Sequence, residues 1–255
     1  MKEFEKILNQ LRDSSGELKA NMHLLNEIVP VEEQMKYFEY SKYVQSTKDN
    51  MGLDRNYLIA KLFTPEIDLE DRRYYLSALA GIVDVAAFRA IETYHSSPLE
   101  PELANWSAMA LAESKILLDA DLSGEKQFFV STGLGGKNGK LRYFSVIASS
   151  DRSNFNDFQK ETLLREIQFA FTTHNIEVES IDIKTNYLKM FLLCGLNQDG
   201  HICIENAIKE CNELGQFVDD QFLLTNVKKI EDDQIVELLK RKNSDTDAED
   251  ESESI

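Results

Sequence analysis

The residues closest to a chemical signature are Gly133-Leu-Gly-Gly-Lys-Asn-Gly-Lys140, followed by Arg142. Gly133, Gly135, Gly136 and Gly139 offer positive-φ positions, and backbone N–H groups in such a run can converge on an anion. Lys137, Lys140 and Arg142 add positive charge within an otherwise acidic chain. The chemistry this implies is a contact to a phosphate or to a partner, with no bond made or broken. The run departs from the nucleotide-binding phosphate loop. Leu141 follows Lys140 where Ser or Thr is needed, and Leu134 stands where the first glycine belongs. It is no dinucleotide fingerprint either, because the glycine spacing differs and no helix is expected after it. The plain alternative is a hairpin tip.

Other chemistries find less support. Cys194, Cys203, Cys211 and His201 lack the paired Cys-x-x-Cys spacing of a zinc site, and Cys211 falls on the apolar stripe Ile204, Ala207, Ile208, Leu214. No metal and no cofactor is expected. His23, His95, His174 and His201 lie in four separate segments, and Ser131 and Ser145 sit in expected strands without a nucleophile elbow. No catalytic residue is assigned. Asp219-Asp220 reads as a solvated loop. The aromatics Phe128, Phe129, Tyr143 and Phe144, with Arg142 and Lys189 nearby, could form a stacking platform for single-stranded RNA. The RNA-binding strand signature is missing, and core packing is the plainer reading.

A net charge of −17 disfavours a general nucleic-acid binder, which needs a basic face, and an anionic membrane surface. Six acids and no base occupy Ser244–Ile255, so the remainder still carries about −11. That tail has too little apolar surface to order itself and is expected to be disordered. MKEFEKILNQ is no signal-type apolar run, and no window reaches the roughly 18 apolar residues of a membrane helix. Three cysteines, used as small hydrophobes, fit a reducing compartment. The expectation is a cytoplasmic protein without a membrane partner.

The elements that would position these residues divide the chain near Asp119–Gly124. Lys126–Leu214 reads as a duplicated strand, turn, strand, helix unit. LRYFSVIA at Leu141–Ala148 lines up with LKMFLLCG at Leu188–Gly195. Helices are expected near Asn154–Thr173 and His201–Leu214, a strand at Gln221–Val227 and a helix at Glu231–Lys242. The fold class expected is α+β: an all-helical N-terminal half, then a duplicated ββα unit forming an antiparallel, ferredoxin-like sheet with helices on one face. The domains would be 1–120, helical; 126–242, α/β; and 243–255, a tail.

Within the helical half, Phe4, Ile7, Leu8 and Leu11 fall at helical spacing, as do Leu18, Met22, Leu25 and Val29, and later Met35, Phe38 and Val44. Asp68–Leu118 then runs through SALAGIVD, AAFRAI and WSAMALAE. This order resembles a HEAT-like helical repeat, in which small residues let paired helices approach. The resemblance spans about residues 69–118, and implies a stacking scaffold with a partner surface around Arg72, Arg73 and Trp106.

The reading that follows is a non-enzymatic scaffold whose partner is another protein. The alternative is a nucleic-acid- or ribosome-associated, or nucleotide-binding, protein using the hairpin 133–142. A third is an enzyme with its site between the two halves.

Overall fold

The computed structural model describes residues 21–47 and 54–240, and the chain divides into two compact units at the Ser131–Thr132 junction. The apolar pattern at residues 4–11 and the acidic tail lie outside the described residues.

The first unit corrects the all-helical expectation. Strand β1 (Asn21–Leu24) pairs in parallel with β2 (Gln127–Val130), Asn21 opposite Gln127 and Leu24 opposite Val130. Met22 therefore belongs to a strand, although its spacing to Leu18 and Leu25 is helical. Between the strands run α1 (Val31–Thr47), α2 (Arg55–Leu62), α3 (Leu69–Ala80), α4 (Val85–Ser96) and α5 (Ala104–Ser123). Short polar caps start three of them. Asp54, Asp68 and Asp84 each accept a backbone N–H of the first turn, and Asp84 accepts two, from Ala86 and Ala87. Gly124, at φ 66°, closes α5 in the left-handed conformation that favours glycine. The core holds Tyr37, Leu76, Leu79, Ile91, Tyr94, Trp106 and Met109, with Ala78, Ala80, Ala87, Ala108 and Ala110 between the larger side chains.

The second unit is built on one antiparallel sheet. Its strands are β3 (Gly136–Lys137), β4 (Lys140–Ala148), β5 (Glu177–Ile183), β6 (Tyr187–Cys194) and β7 (Leu223–Thr225). The spatial order is β3-β4-β6-β5, and β7 continues along the same edge of β4 beyond β3. Helices α6 (Asp157–Thr173) and α7 (Gly200–Glu213) pack together over one face. Asn156 opens α6 with a reciprocal capping box to Gln159, and Asp199 caps α7.

Two departures from the expected sheet have physical causes. The segment at 127–130 does not form a hairpin with β4. It pairs with β1 in the first unit, and the two-residue β3 takes the place beside β4. Helices also lie on both faces. α8 (residues 232–240) covers the face opposite α6 and α7, where Ile235 and Leu239 pack with Phe144, Val146, Ala148 and Tyr187. The sequence similarity of β4 and β6 corresponds to direct antiparallel pairing, with Phe144 opposite Phe191 and ring centroids 5.1 Å apart. These are the same positions that line up in the two similar segments, so a local pseudo-two-fold passes through that aromatic pair.

Candidate functional site

The glycine-rich run divides into two turns with different tasks. At its end, Asn138 (φ 52°) and Gly139 (φ 75°) connect β3 to β4 with two left-handed residues, the backbone of a tight hairpin turn. Before it, Thr132–Gly135 forms a second turn. The Gly135 N–H donates to the Thr132 carbonyl at 3.2 Å. A Cβ at Gly133 would lie 1.7 Å from the Val227 carbonyl oxygen, so close backbone packing demands glycine there. The Leu134 N–H donates to Asn226 O at 3.1 Å. Gly133, Leu134, Gly135 and Gly136 are buried, whereas Lys137, Asn138 and Gly139 are exposed. The converging N–H groups that an anion nest requires are thus partly committed, and the accessible part is the tip.

Lys137 and Lys140 stand directly opposite each other across this tip. Like charges in directly opposed strand positions destabilise a hairpin by a few tenths of a kcal/mol or more. Acids nearby offset part of that. Lys140 Nζ lies 3.9 Å from Glu177, and Lys137 acts electrostatically on Glu179. Arg142 is committed elsewhere. Its Nε and a terminal nitrogen donate to the two Glu179 oxygens at 2.5 and 3.1 Å, and its other terminal nitrogen donates to Leu134 O at 2.8 Å. The hydrogen bond from Arg142 holds the Glu179 carboxyl below its ordinary value of 4.5. Arg142 therefore fastens the buried turn to β5 and is not available to a ligand.

Strand alternation puts Lys140 and Arg142 on the same sheet face as Phe144, with Lys189 and Phe191 of β6 beside them. Farther from the tip this face is closed. Phe144 is buried, Phe191 is packed against α8, and Lys189 pairs with Asp182 and Asp232. The Asp232 carboxyl is lowered chiefly by the hydrogen bond from Lys189. No open aromatic platform results.

The helical residues singled out from the sequence are placed differently from a partner surface. Arg72 is fully buried, donating to the carbonyls of Leu62 and Thr64 at 3.0 Å each, with Glu100 at 3.1 Å. It satisfies the C-terminal carbonyls of α2 and ties α3 to the loop before α5. Trp106 is in the core, its indole N–H donating to Ser77 Oγ at 3.1 Å. Arg73 lies over the Trp106 ring, 5.3 Å from its centroid. These three residues hold the first unit together.

One arrangement escaped the sequence reading because its members are far apart. His95 Nδ1 is 2.9 Å from Ser107 Oγ, and His95 Nε2 is 3.6 Å from Glu27. It is no nucleophile triad. Ser107 is fully buried, and its hydroxyl donates to the Ala104 carbonyl at 2.9 Å. That leaves the histidine nitrogen as the donor to serine, the reverse of what a general base needs. The three cysteines are buried, and burial pushes the thiols of Cys194 and Cys211 up to about 12. At such values the thiolate is scarce near neutrality. Among the described residues, no group of three or more His, Cys, Asp and Glu side chains could hold a metal ion. Nor is any described helix long and apolar enough to cross a membrane.

No protein-family model and no curated protein matches the chain. Among solved structures, it is similar to a REP-associated tyrosine transposase bound to a REP hairpin, at 12% identity and TM-score 0.32, over 38% of this chain and 61% of that one. It is also similar to a putative transposase from Deinococcus radiodurans R1, at 10% identity and TM-score 0.33, over 43% of this chain and 93% of that one. This chain thus spans under two thirds of the first structure's length. Both neighbours are described as transposases, which are enzymes. Neither neighbour is described as a protein-interaction scaffold, and the expectation of a non-enzymatic scaffold is not carried forward. At these TM-scores the likeness assigns no activity to this chain.

Proposed function

We propose that the second unit contacts single-stranded nucleic acid through the hairpin tip Lys137-Asn138-Gly139-Lys140, in which Lys137, Asn138 and Gly139 are exposed and Lys140 is half-buried. The observation that carries this reading is the directly opposed pair Lys137 and Lys140 at an exposed turn. A local arrangement that works against stability is expected where it serves a ligand. The ligand that relieves it is anionic. The tip projects rather than encloses, which suits phosphates along a chain better than a single bound nucleotide. Glu177 and Glu179 sit close behind the lysines. They would repel the dense charge of a duplex, whereas a flexible strand can place one or two phosphates at the tip and lead the rest away.

The test is fluorescence anisotropy with labelled oligo(dT) and oligo(U), using the full chain at low and at physiological salt. Two phosphate contacts on a single strand give a slope of log K against log salt of about −1.4. Binding should be lost in Lys137→Glu/Lys140→Glu at an unchanged melting temperature. Binding that persists in this folded variant, or no binding by the natural sequence at low salt, rejects the reading.

A further inference from the structure

We propose that α6 is a homodimerisation helix, packing antiparallel against α6 of a second copy of this chain across a two-fold axis. The inward side of α6 is taken by the core, where Leu163, Ile167, Ala170 and Phe171 are buried. Its outward side is mixed: Asp157, Glu161, Arg165, Gln168 and Thr172 are exposed beside Phe158, Leu164 and Phe169. Phe158 and Phe169 are 60% and 67% exposed there. They stand about 16 Å apart along the helix axis, at the two ends of one stripe with charged side chains between them.

The pattern of that stripe selects the partner. Phe158, Glu161, Arg165 and Phe169 follow one another at steps of three, four and four residues, which places them along one side of a helix. Read in either direction the stripe is apolar, charged, charged, apolar, and reversal exchanges acid for base. Two copies laid antiparallel therefore bring Phe158 to Phe169 at each end and Glu161 to Arg165 twice in the middle. That is the self-complementarity an isologous two-fold contact requires. A parallel pairing would set Glu161 against Glu161 and Arg165 against Arg165. A partner of arbitrary sequence has no reason to match this reversal symmetry.

The local geometry allows the exchange of partners. Arg165 now pairs with its neighbour Glu166 at 3.0 Å while 63% of its side chain is exposed, and a surface pair of this kind holds an arginine weakly. Beside the Phe169 ring, Glu161, Leu164, Arg165, Gln168 and Thr172 line a wide-open, nearly flat surface. It offers room for the partner's Phe158. A helix of 17 residues is about 25 Å long, so one stripe buries less than the roughly 800 Å² per partner of a standard interface. The dimer is accordingly reversible and concentration-dependent.

Sedimentation equilibrium of the full chain over a wide concentration range tests this, with circular dichroism melts confirming that each variant is folded. The natural sequence should move from monomer to dimer. Phe169→Asp should be monomeric throughout. Glu161→Arg alone and Arg165→Glu alone should each weaken the dimer by at least about tenfold, because each sets like charges opposite one another. The double exchange Glu161→Arg/Arg165→Glu should restore it, since the reciprocal pairs re-form in reverse. A natural chain that stays monomeric overturns the proposal. So does a dimer that survives Phe169→Asp, or one that the double exchange fails to rescue.

Discussion

The two faces of the second unit's sheet are built on different principles. The face under α6 and α7 is aliphatic and closed. Leu188, Met190, Leu192 and Cys194 of β6 meet Ile167, Phe171, Cys203, Ile204 and Ile208, all almost fully buried. The opposite face is a gradient. It is apolar where α8 covers Phe144, Val146 and Tyr187, ionic through Lys189 and Asp232, and charged and exposed by the hairpin tip. The first face stores stability through two long helices. The second is covered by nine described residues of helix, anchored chiefly by Ile235, with Val236 and Leu238 left 39% and 45% exposed. The charged groups Lys137 and Lys140 belong to the second, where a charge can stay in water without desolvation.

The largest expected effect separates the two faces directly. Leu192→Ala removes a fully buried side chain from the closed face and should cost about 2–5 kcal/mol in denaturant unfolding. Ile235→Ala should fall at or below the low end of that range, because α8 can loosen locally instead of leaving a sealed cavity. Equal losses at the two positions would show that both faces are equally cooperative, and the contrast would fail.

A smaller effect probes the ionic fastening. Glu179→Gln removes the carboxylate from Arg142 while keeping the shape, and should cost about 1–3 kcal/mol near neutral pH, since charged hydrogen bonds are lost. The sign of the pH dependence follows from the lowered Glu179 value. A carboxyl lower in the folded than in the unfolded state stabilises above its ordinary value of 4.5, and that stability is lost as the pH falls through the folded value. The natural chain should therefore lose stability below about pH 4.5 more steeply than Glu179→Gln. Parallel acid limbs for the two proteins would show that the pair contributes nothing.

The smallest effect is expected at the tip. Lys137→Glu should change stability by less than about 0.5 kcal/mol, because its side chain is exposed and the change also removes the like-charge opposition with Lys140. A loss above about 1 kcal/mol would mean that the tip is part of the fold and not a projecting contact.

Local signals were readable wherever the determining residues lie close in sequence. Asp84 after Gly81 and Asn156 before Gln159 announce helix starts through side chain to backbone hydrogen bonds spanning two or three residues. Strand β4 is marked by its aromatic and β-branched residues, and its likeness to β6 is visible without coordinates. Asn138-Gly139 is a hairpin turn by residue type alone. The candidate site was legible only in its outer part. Lys137 and Lys140 could be picked out as charges by a turn, but nothing nearby in sequence shows that Arg142 is held by Glu179, 37 residues away.

What the tertiary structure alone decided are the long-range pairings. β1 and β2 are four residues each and join segments 104 residues apart, as His23 to Gln127 illustrates at 2.8 Å. A strand that short has too little periodicity to announce itself, and a parallel partner leaves no hairpin signal. Arg72 looked like surface because arginines mostly are. Only the fold brings the carbonyls of Leu62 and Thr64 and the Glu100 carboxylate around one guanidinium, and without them its burial would be prohibitive. The sequence by itself marked most of the helices, the strands β4 and β6 and the reversal-symmetric stripe of α6. The tertiary structure decided which charges are tied up internally, because that depends on neighbours the chain meets only after folding.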